Sequence, residues 1–292
     1  MLAIAATDFP PAKACDSHVH VIGPKARFPL APGHRYTPQD APAAALAAML
    51  DRLGLQRVVL VQPSFYGTDN ACMLDAMAQF AGARGVAVLR DETPTQALEA
   101  LDAQGVRGLR VNIATMGAAP IEDIQRKIAG AARLCEWHGW HVQVFVPADA
   151  IEALAPFIRT LPVGVVFDHF GLIAPGTTSG PLAALCRLLE SGNVWVKISG
   201  AYRIADDPND ARIDPLARAL TKANPERIVW GSDWPHTPKH DIHTGSATEL
   251  PFQDIDTRGL LHLLPRWLED DALVKRVLVD NPARLYDFSP SP

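Results

Sequence analysis

Short runs of β-branched and other apolar residues recur along this chain and constrain its fold more than any other feature. Examples are RVVLV, VGVVF and RIVW, which begin at Arg57, Val163 and Arg227. Near-continuous apolar runs, rather than alternating ones, are typical of strands buried on both faces of a parallel sheet. The sequence predicts eight such strands: Ala14–Val19, Arg57–Gln62, Gly85–Leu89, Gly105–Val111, His141–Val146, Val163–Phe167, Val194–Ser199 and Arg227–Gly231.

Helical patterns lie between these strands. The predicted helices are Ala43–Leu53, Ile121–Trp137, Pro181–Glu190, Pro215–Ala223 and Asp271–Val279. Eight strands that alternate with helices over about 250 residues are typical of a (β/α)8 barrel, the TIM-barrel fold. An open, doubly wound α/β sheet is the alternative, but no Gly-rich phosphate loop follows an early strand.

The composition excludes several classes of protein. The 292 residues are 48% hydrophobic and carry a net charge of −5, so the chain has ample material for a core and is not intrinsically disordered. The sequence contains no Lys/Arg cluster of the kind that predicts binding to nucleic acid. No apolar run approaches the roughly 20 residues of a membrane span, and Asp8 follows the apolar start too soon for a signal peptide.

The four cysteines, Cys15, Cys72, Cys135 and Cys186, form no CxxC pair. This spacing predicts neither a zinc knuckle nor a disulfide framework. We expect each cysteine to be a small buried residue and the protein to lie in the reducing cytoplasm. We expect residues 1–292 to form a single barrel domain. Two long irregular stretches, at about 23–42 and 237–256, predict active-site loops. The sequence leaves open whether the protein forms a homo-oligomer.

Polar residues stand at the carboxyl ends of the predicted strands, where barrel active sites lie. They are His18, His20, Ser64, Arg110, Asn112, His169, Arg203 (just beyond strand seven) and Asp233. His18 and His20 are two apart in one strand, so both point to the same side and can act on one metal ion or one substrate oxygen. Asp233 at the last strand end is a candidate general base.

Other residues have two readings. His169 taken alone is better explained as a core residue, and its neighbour Asp168 is expected to face away and accept hydrogen bonds beneath the site. His236 is either a substrate contact or a simple loop histidine. Arg110 and Arg203 need anionic partners, because an unpaired buried charge is costly; the partner is either a substrate carboxylate or a local acid.

Taken together, these residues resemble the amidohydrolase superfamily, and within it the 2-pyrone-4,6-dicarboxylate hydrolases and related lactonases. The resemblance runs nearly end to end and is carried by DSHVHVIGP, RFPLAPGHRYTPQDAP, QPSFYGTDN, GVRGLRVN, GWHV, FDHFG, WVKISGAYR and IVWGSDWPH. It implies that His18, His20 and His169 polarise a lactone carbonyl and that Asp233 takes a proton from the attacking water. It also implies that Arg110 and Arg203 grip substrate carboxylates, with hydrogen bonds added by Tyr36 and Ser64.

The chain departs from the metal-binding members of that superfamily. Those members place a Lys or an acid on strand four and a His at the end of strand five, whereas here strand four ends Arg110-Val111-Asn112 and His141 lies at the wrong end of strand five. We therefore expect that no cofactor is required. If a divalent ion such as Zn²⁺ binds, His18, His20 and Asp233 are the expected ligands. Phe145 stands near a position where the lactonases offer a Tyr to the substrate.

The expected function is hydrolysis of a small anionic lactone, similar to 2-pyrone-4,6-dicarboxylate or a muconolactone, in the breakdown of aromatic compounds. Two other enzymes of the same superfamily are the alternatives: a metal-dependent decarboxylase of an aromatic or unsaturated acid, and a lactone isomerase. A binding protein without activity is disfavoured by the set of three histidines and one aspartate.

Overall fold

Eight parallel strands form the centre of the molecule in the computed structural model, which describes residues 9–115, 119–239 and 248–288. The strands, labelled β1 to β8 here, are Cys15–Val19, Arg57–Val61, Arg84–Ala87, Val106–Asn112, His141–Phe145, Val165–Phe167, Val194–Lys197 and Ile228–Val229. Each pairs in parallel with the next along the chain. The predicted (β/α)8 barrel is confirmed, with strands up to three residues shorter than predicted.

The barrel closes between β8 and β1. Ser17 N donates to Trp230 O at 3.0 Å, Asp233 N donates to His18 O at 2.9 Å, and His20 N donates to Trp234 O at 2.8 Å. Asp16 crosses the same seam, since its Oδ1 accepts from the backbone N–H of both His18 and Ser232. β8 has only two regular residues because the chain beyond it bonds to β1 along an irregular path.

Helices surround the strands. They are α1 Ala43–Leu53, α2 Ala71–Met77, α3 Thr95–Ala103, α4 Ile121–Glu136, α5 Ala150–Ile158, α6 Pro181–Glu190, α7 Ile213–Ala223, α8 Thr257–His262, α9 Leu264–Leu268, α10 Asp271–Lys275 and α11 Asn281–Leu285. The helix predicted over Asp271–Val279 is α10 followed by a π-helical segment, Arg276–Asp280. Helix α7 begins two residues before the predicted Pro215, because a proline is tolerated in the first turn of a helix.

The two long loops meet above the carboxyl ends of the strands. Thr37–Pro38 in the first loop pairs in parallel with Glu249–Leu250 in the second, and Thr37 N donates to Thr248 O at 2.9 Å. Residues 240–247 of the second predicted loop lie outside the described residues. Pairing between the loops fixes their positions over one end of the barrel.

Apolar residues fill the space between strands and helices, as buried β-branched strands require. Cys15, Cys72 and Cys135 are buried thiols as predicted, whereas Cys186 is only partly buried. Within the described ranges, no helix combines the length and apolar character needed to cross a membrane.

Candidate active site

Three imidazoles surround the carboxylate of Asp233 at the mouth of the barrel. His18 Nε2 and His20 Nε2 lie 3.7 and 3.5 Å from Asp233 Oδ1, and His169 Nε2 lies 3.8 Å from Asp233 Oδ2. All four side chains are at most 5% exposed. The structure thus brings together the four residues predicted to be catalytic, from β1, from the turn after β6 and from the segment after β8.

The two carboxylate oxygens of Asp233 have different surroundings. Oδ2 accepts hydrogen bonds from the Tyr202 hydroxyl and from Arg203 Nε, both at 2.7 Å. Oδ1 is buried and has no hydrogen-bond partner among the described residues. Oδ2 is therefore held in place, while Oδ1 is left to accept a proton.

Backbone conformation aims these side chains. Asp233 and His169 both have positive φ angles, 63° and 48°, a conformation that residues other than glycine rarely adopt. Gly200 makes room for them. A Cβ at this glycine would lie 2.9 Å from His169 Nδ1 and 3.3 Å from Asp233 Oδ2.

A second polar cluster lies directly beneath the site, inside the barrel. Lys197 Nζ, with no exposed surface, donates to Ser17 O at 2.9 Å and to Gln143 Oε1 at 2.7 Å, and it lies 3.3 Å from His18 Nδ1. Asp168 accepts from Gln143 Nε2 and from Arg110 Nη2 on its Oδ2. The prediction that Asp168 accepts hydrogen bonds beneath the site is confirmed.

The accompanying expectation that Asp168 faces away from the site is wrong. It assumed that strand alternation continues through His169. The regular strand β6 ends at Phe167, and a 3₁₀ turn begins at His169 with a positive φ. The side chains of Asp168 and His169 can therefore both point inward.

Burial and neighbouring charges set the protonation of the cluster. Burial lowers the pKa of His18 well below its ordinary value, and the Lys197 charge acts in the same direction. Burial also lowers the pKa of His169 to about 4 and that of Lys197 to about 8. Burial alone would raise the pKa of Asp233, but the Arg203 guanidinium and the imidazoles outweigh it and hold this pKa well below its ordinary value. At neutral pH the site therefore combines a charged Asp233 with neutral His18 and His169.

A cavity of about 390 Å³ opens above the cluster. The predicted site residues that line it are His20, Tyr36, Ser64, Arg110, His169 and Asp233. Phe145, at the end of β5, packs its ring edge-on against His169, with 5.3 Å between ring centroids.

Two predicted substrate contacts do not line this cavity. Arg203 is only 3% exposed, and besides Asp233 it donates to Pro238 O and to Thr237 Oγ1. His236 bonds the Tyr202 hydroxyl through Nδ1 and Thr257 Oγ1 through Nε2. The structure places Arg203 against a local acid and His236 in a packing position beside it.

The donor set for a metal ion differs from the predicted one. Ligand atoms of His18, His169 and Asp233 lie within 4.8 Å of one another, so His169 takes the place predicted for His20. Two of these residues have orphaned buried atoms, His18 Nε2 and Asp233 Oδ1. The geometry admits a divalent ion, but Arg203 Nε already occupies Asp233 Oδ2.

Sequence reasoning missed Lys197 and Gln143. Each sits inside an otherwise apolar run, VWVKIS or HVQVF. A polar residue within a strand that is buried on both faces needs a partner, and that was the available signal. Arg35 and Lys239, which also line the cavity, carried no comparable signal because they lie in loops.

The chain is similar to known proteins over nearly its whole length. The model of the amidohydrolase family matches residues 15–288. A 2-pyrone-4,6-dicarboxylate hydrolase of Comamonas testosteroni and a 4-sulfomuconolactone hydrolase of Rhizobium radiobacter are each 35% identical to it, over 94% of this chain and 90% of theirs. A D-galactarolactone isomerase of Agrobacterium fabrum is 30% identical, over 96% of this chain and 93% of its own.

A solved structure has the same fold. It is a probable 2-pyrone-4,6-dicarboxylic acid hydrolase of Acinetobacter baumannii with citric acid bound, 27% identical, with a TM-score of 0.76 over 94% of this chain and 100% of its own. The family match, the relatives and the barrel agree. This chain is a member of the amidohydrolase family.

Proposed function

We propose that this protein is a lactonase: it opens the ring of a lactone that carries at least one acidic group, in the breakdown of aromatic compounds. The observation that carries the proposal is Asp233 Oδ1. This buried carboxylate oxygen accepts no hydrogen bond from the described residues and faces two imidazole nitrogens beneath a cavity. This is the arrangement that water attack on an ester carbonyl needs: a base and donors for an oxyanion. The named activities of the two 35% identical relatives support the choice.

Asp233 Oδ1 acts as the base. The water oxygen bonds to the lactone carbonyl carbon while its proton passes to Oδ1, and the carbonyl oxygen becomes an oxyanion that imidazole N–H groups stabilise. Collapse of this adduct breaks the ring C–O bond, and the proton on Asp233 passes to the leaving oxygen. Arg203 and Tyr202 hold Oδ2 throughout, so that Oδ1 stays aimed at the water.

Arg110 is the best-placed group for an acidic substituent. It lines the cavity, and its buried Nε has no hydrogen-bond partner among the described residues. Tyr36 and Ser64 line the same cavity and can add hydrogen bonds. The acidic groups in the names of the two relatives, carboxylates in one and a sulfonate in the other, support an anionic substrate.

We further propose that no metal is required. If a divalent ion bound, His18, His169 and Asp233 would hold it, and it would polarise the carbonyl. The cations already present support the metal-free reading: Arg203 bonds to Asp233, and the Lys197 ammonium lies 3.3 Å from His18 Nδ1. Like charges so close disfavour a dication.

Two expectations remain part of the proposal. The unpaired thiols support a reducing compartment such as the cytoplasm. The mechanism does not depend on a homo-oligomer, because every residue that it uses lies in one chain.

The test is a screen of purified protein against carboxylated pyrones, muconolactones and sulfomuconolactone, with neutral lactones of the same ring as controls. Ring opening is followed by loss of the lactone absorbance, and the product is identified by mass. A gain of one water confirms hydrolysis. A product of unchanged mass establishes an isomerase instead, and loss of carbon dioxide establishes a decarboxylase.

A further inference from the structure

Lys197 is fully buried, yet the proposed mechanism leaves it without a role. Three polar atoms lie within hydrogen-bond distance of its Nζ: Ser17 O at 2.9 Å, Gln143 Oε1 at 2.7 Å and His18 Nδ1 at 3.3 Å. An ammonium group has three protons to donate and no lone pair to accept with. Ser17 O and Gln143 Oε1 accept two of these protons. The third is accepted only if His18 Nδ1 presents its lone pair.

Asp168 is the competing partner for the same nitrogen. Its Oδ1 lies 3.3 Å from His18 Nδ1 and 3.8 Å from Lys197 Nζ, too far or too poorly aligned for a hydrogen bond, and it takes part in none among the described residues. The other oxygen, Oδ2, is taken by Gln143 and Arg110. Among the described residues His18 Nδ1 therefore has a hydrogen bond with Lys197, and with Asp168 Oδ1 only an ion-pair contact.

His20, the second histidine of the pair, has the opposite arrangement at its Nδ1. His20 Nδ1 lies 2.7 Å from the carbonyl oxygen of Val61, which can only accept. His20 must therefore carry a proton on Nδ1, and in its neutral form its Nε2 is a lone pair.

We propose that Lys197 is a positioning residue that fixes the proton of His18 on Nε2, which makes His18, and not His20, the N–H donor to the substrate carbonyl oxygen. The inference rests on the proposed function and assigns the roles within that site. His18 Nε2 is a buried atom with no partner among the described residues, 3.7 Å from Asp233 Oδ1. Such a donor is needed where the oxyanion forms, next to the base.

The same arrangement bears on metal binding. A histidine that ligates a metal through Nε2 must leave that nitrogen deprotonated, and its other nitrogen normally donates to a carboxylate or carbonyl. At His18 that second position is held by an ammonium that donates. Lys197 thus turns a residue with the position of a metal ligand into an electrophile.

The first experiment needs no substrate and reads the wild-type protein directly, with variants used only to assign its resonances. Protein labelled with ¹⁵N-histidine is studied by long-range ¹H–¹⁵N NMR at neutral pH, with the resonances assigned by His18→Gln and His20→Gln variants. We expect His18 to be protonated on Nε2 and bare on Nδ1, and His20 to show the reverse. A His18 that carries its proton on Nδ1, or on both nitrogens, overturns the proposal.

The second experiment replaces Lys197. In Lys197→Met, a substitution of similar length, the proton of His18 should move to Nδ1 and be donated to Asp168. We expect kcat for lactone opening to fall by about 100-fold or more, with KM little changed, since an oxyanion donor acts in the transition state. A matched control is Tyr286→Phe. It removes a buried hydroxyl that has no hydrogen-bond partner in the described part of the chain, on a ring whose centroid lies 5.8 Å from Lys197 Nζ. This control should keep the wild-type His18 spectrum and kcat.

The two readouts separate the two proposals. If His18 has the expected tautomer but no lactone is opened, the proposed function fails while the assignment of Lys197 stands. If lactones are opened while His18 has its proton on Nδ1, only the role of Lys197 fails. An unchanged tautomer and unchanged kcat in Lys197→Met would also reject it, and if that variant does not fold the wild-type spectrum still decides.

Discussion

Arg203 Nε donates a 2.7 Å hydrogen bond to Asp233 Oδ2 inside a pocket where neither side chain is more than 3% exposed. This contact was the alternative to a substrate carboxylate in the sequence analysis. It makes Arg203 a partner of the proposed base, and it explains why the carboxyl group stays ionised although it is buried.

Arg203→Met should move the acidic limb of the pH–rate profile. Asp233 works as a base only when deprotonated, so activity falls as the pH drops through its pKa. Because the pKa of Asp233 is held well below its ordinary value, we expect the wild-type limb to lie at strongly acidic pH. Loss of a neighbouring cation should raise the limb by at least about one pH unit, because burial then dominates. The measurement is kcat/KM as a function of pH.

Arg203→Lys is the matched control, because it keeps the charge and should shift the limb less. A different outcome would restore the role implied by the family resemblance. If the limb stays in place and KM rises for acidic lactones only, Arg203 binds substrate.

Asp233→Asn should abolish ring opening. The amide keeps the shape of the side chain but cannot take the proton of water, a loss that typically costs about 10²–10⁴-fold in rate. The measurement is kcat, with circular dichroism to show that the fold is retained. Turnover near the wild-type rate would reject Asp233 as the base.

Arg110→Met should weaken binding of acidic lactones selectively. We expect KM for a carboxylated lactone to rise about 10- to 100-fold, the value of a hydrogen bond to a charged group, with little change for a neutral lactone of the same ring. Arg107→Met, in the same strand, is the control, because Arg107 bonds to Asp102 and not to the cavity. Equal effects on both lactones would show that Arg110 acts through Asp168 instead.

Dialysis against a strong chelator should leave activity unchanged. The proposed mechanism gives the electrophilic role to imidazole and leaves no step for an ion. Activity and metal content are measured on the same preparation, before and after dialysis. Loss of activity that one divalent ion restores would contradict the proposal and revive the decarboxylase alternative.

The sequence was a good guide to the barrel and to which histidines and carboxylate meet at its mouth. Apolar runs, several of them near-continuous and β-branched, predicted all eight strands, and the rule that barrel sites lie at strand ends grouped His18, His20, His169 and Asp233, which the structure brings together. Both rules use features of one segment at a time, its apolar pattern and the residues at its carboxyl end, and these can be read directly from the sequence.

Such rules could not predict which side chains from different strands contact each other. Arg203 meets Asp233 across the mouth, and Lys197 meets His18 from a strand 179 residues further along the chain. Pairings of this kind depend on side-chain direction at irregular positions. Asp168 shows the same limit, because the change of backbone conformation at His169 reversed its predicted direction.

The seam between β8 and β1 has a consequence for how the protein acquires activity. His18 and His20 lie on one side of this seam and Asp233 lies on the other, and backbone hydrogen bonds across it hold them together. The strands involved are the first and the last to leave the ribosome. A chain in which β1 and β8 have not yet paired has no assembled site. Turnover is therefore a measure of the fraction of molecules whose barrel has closed.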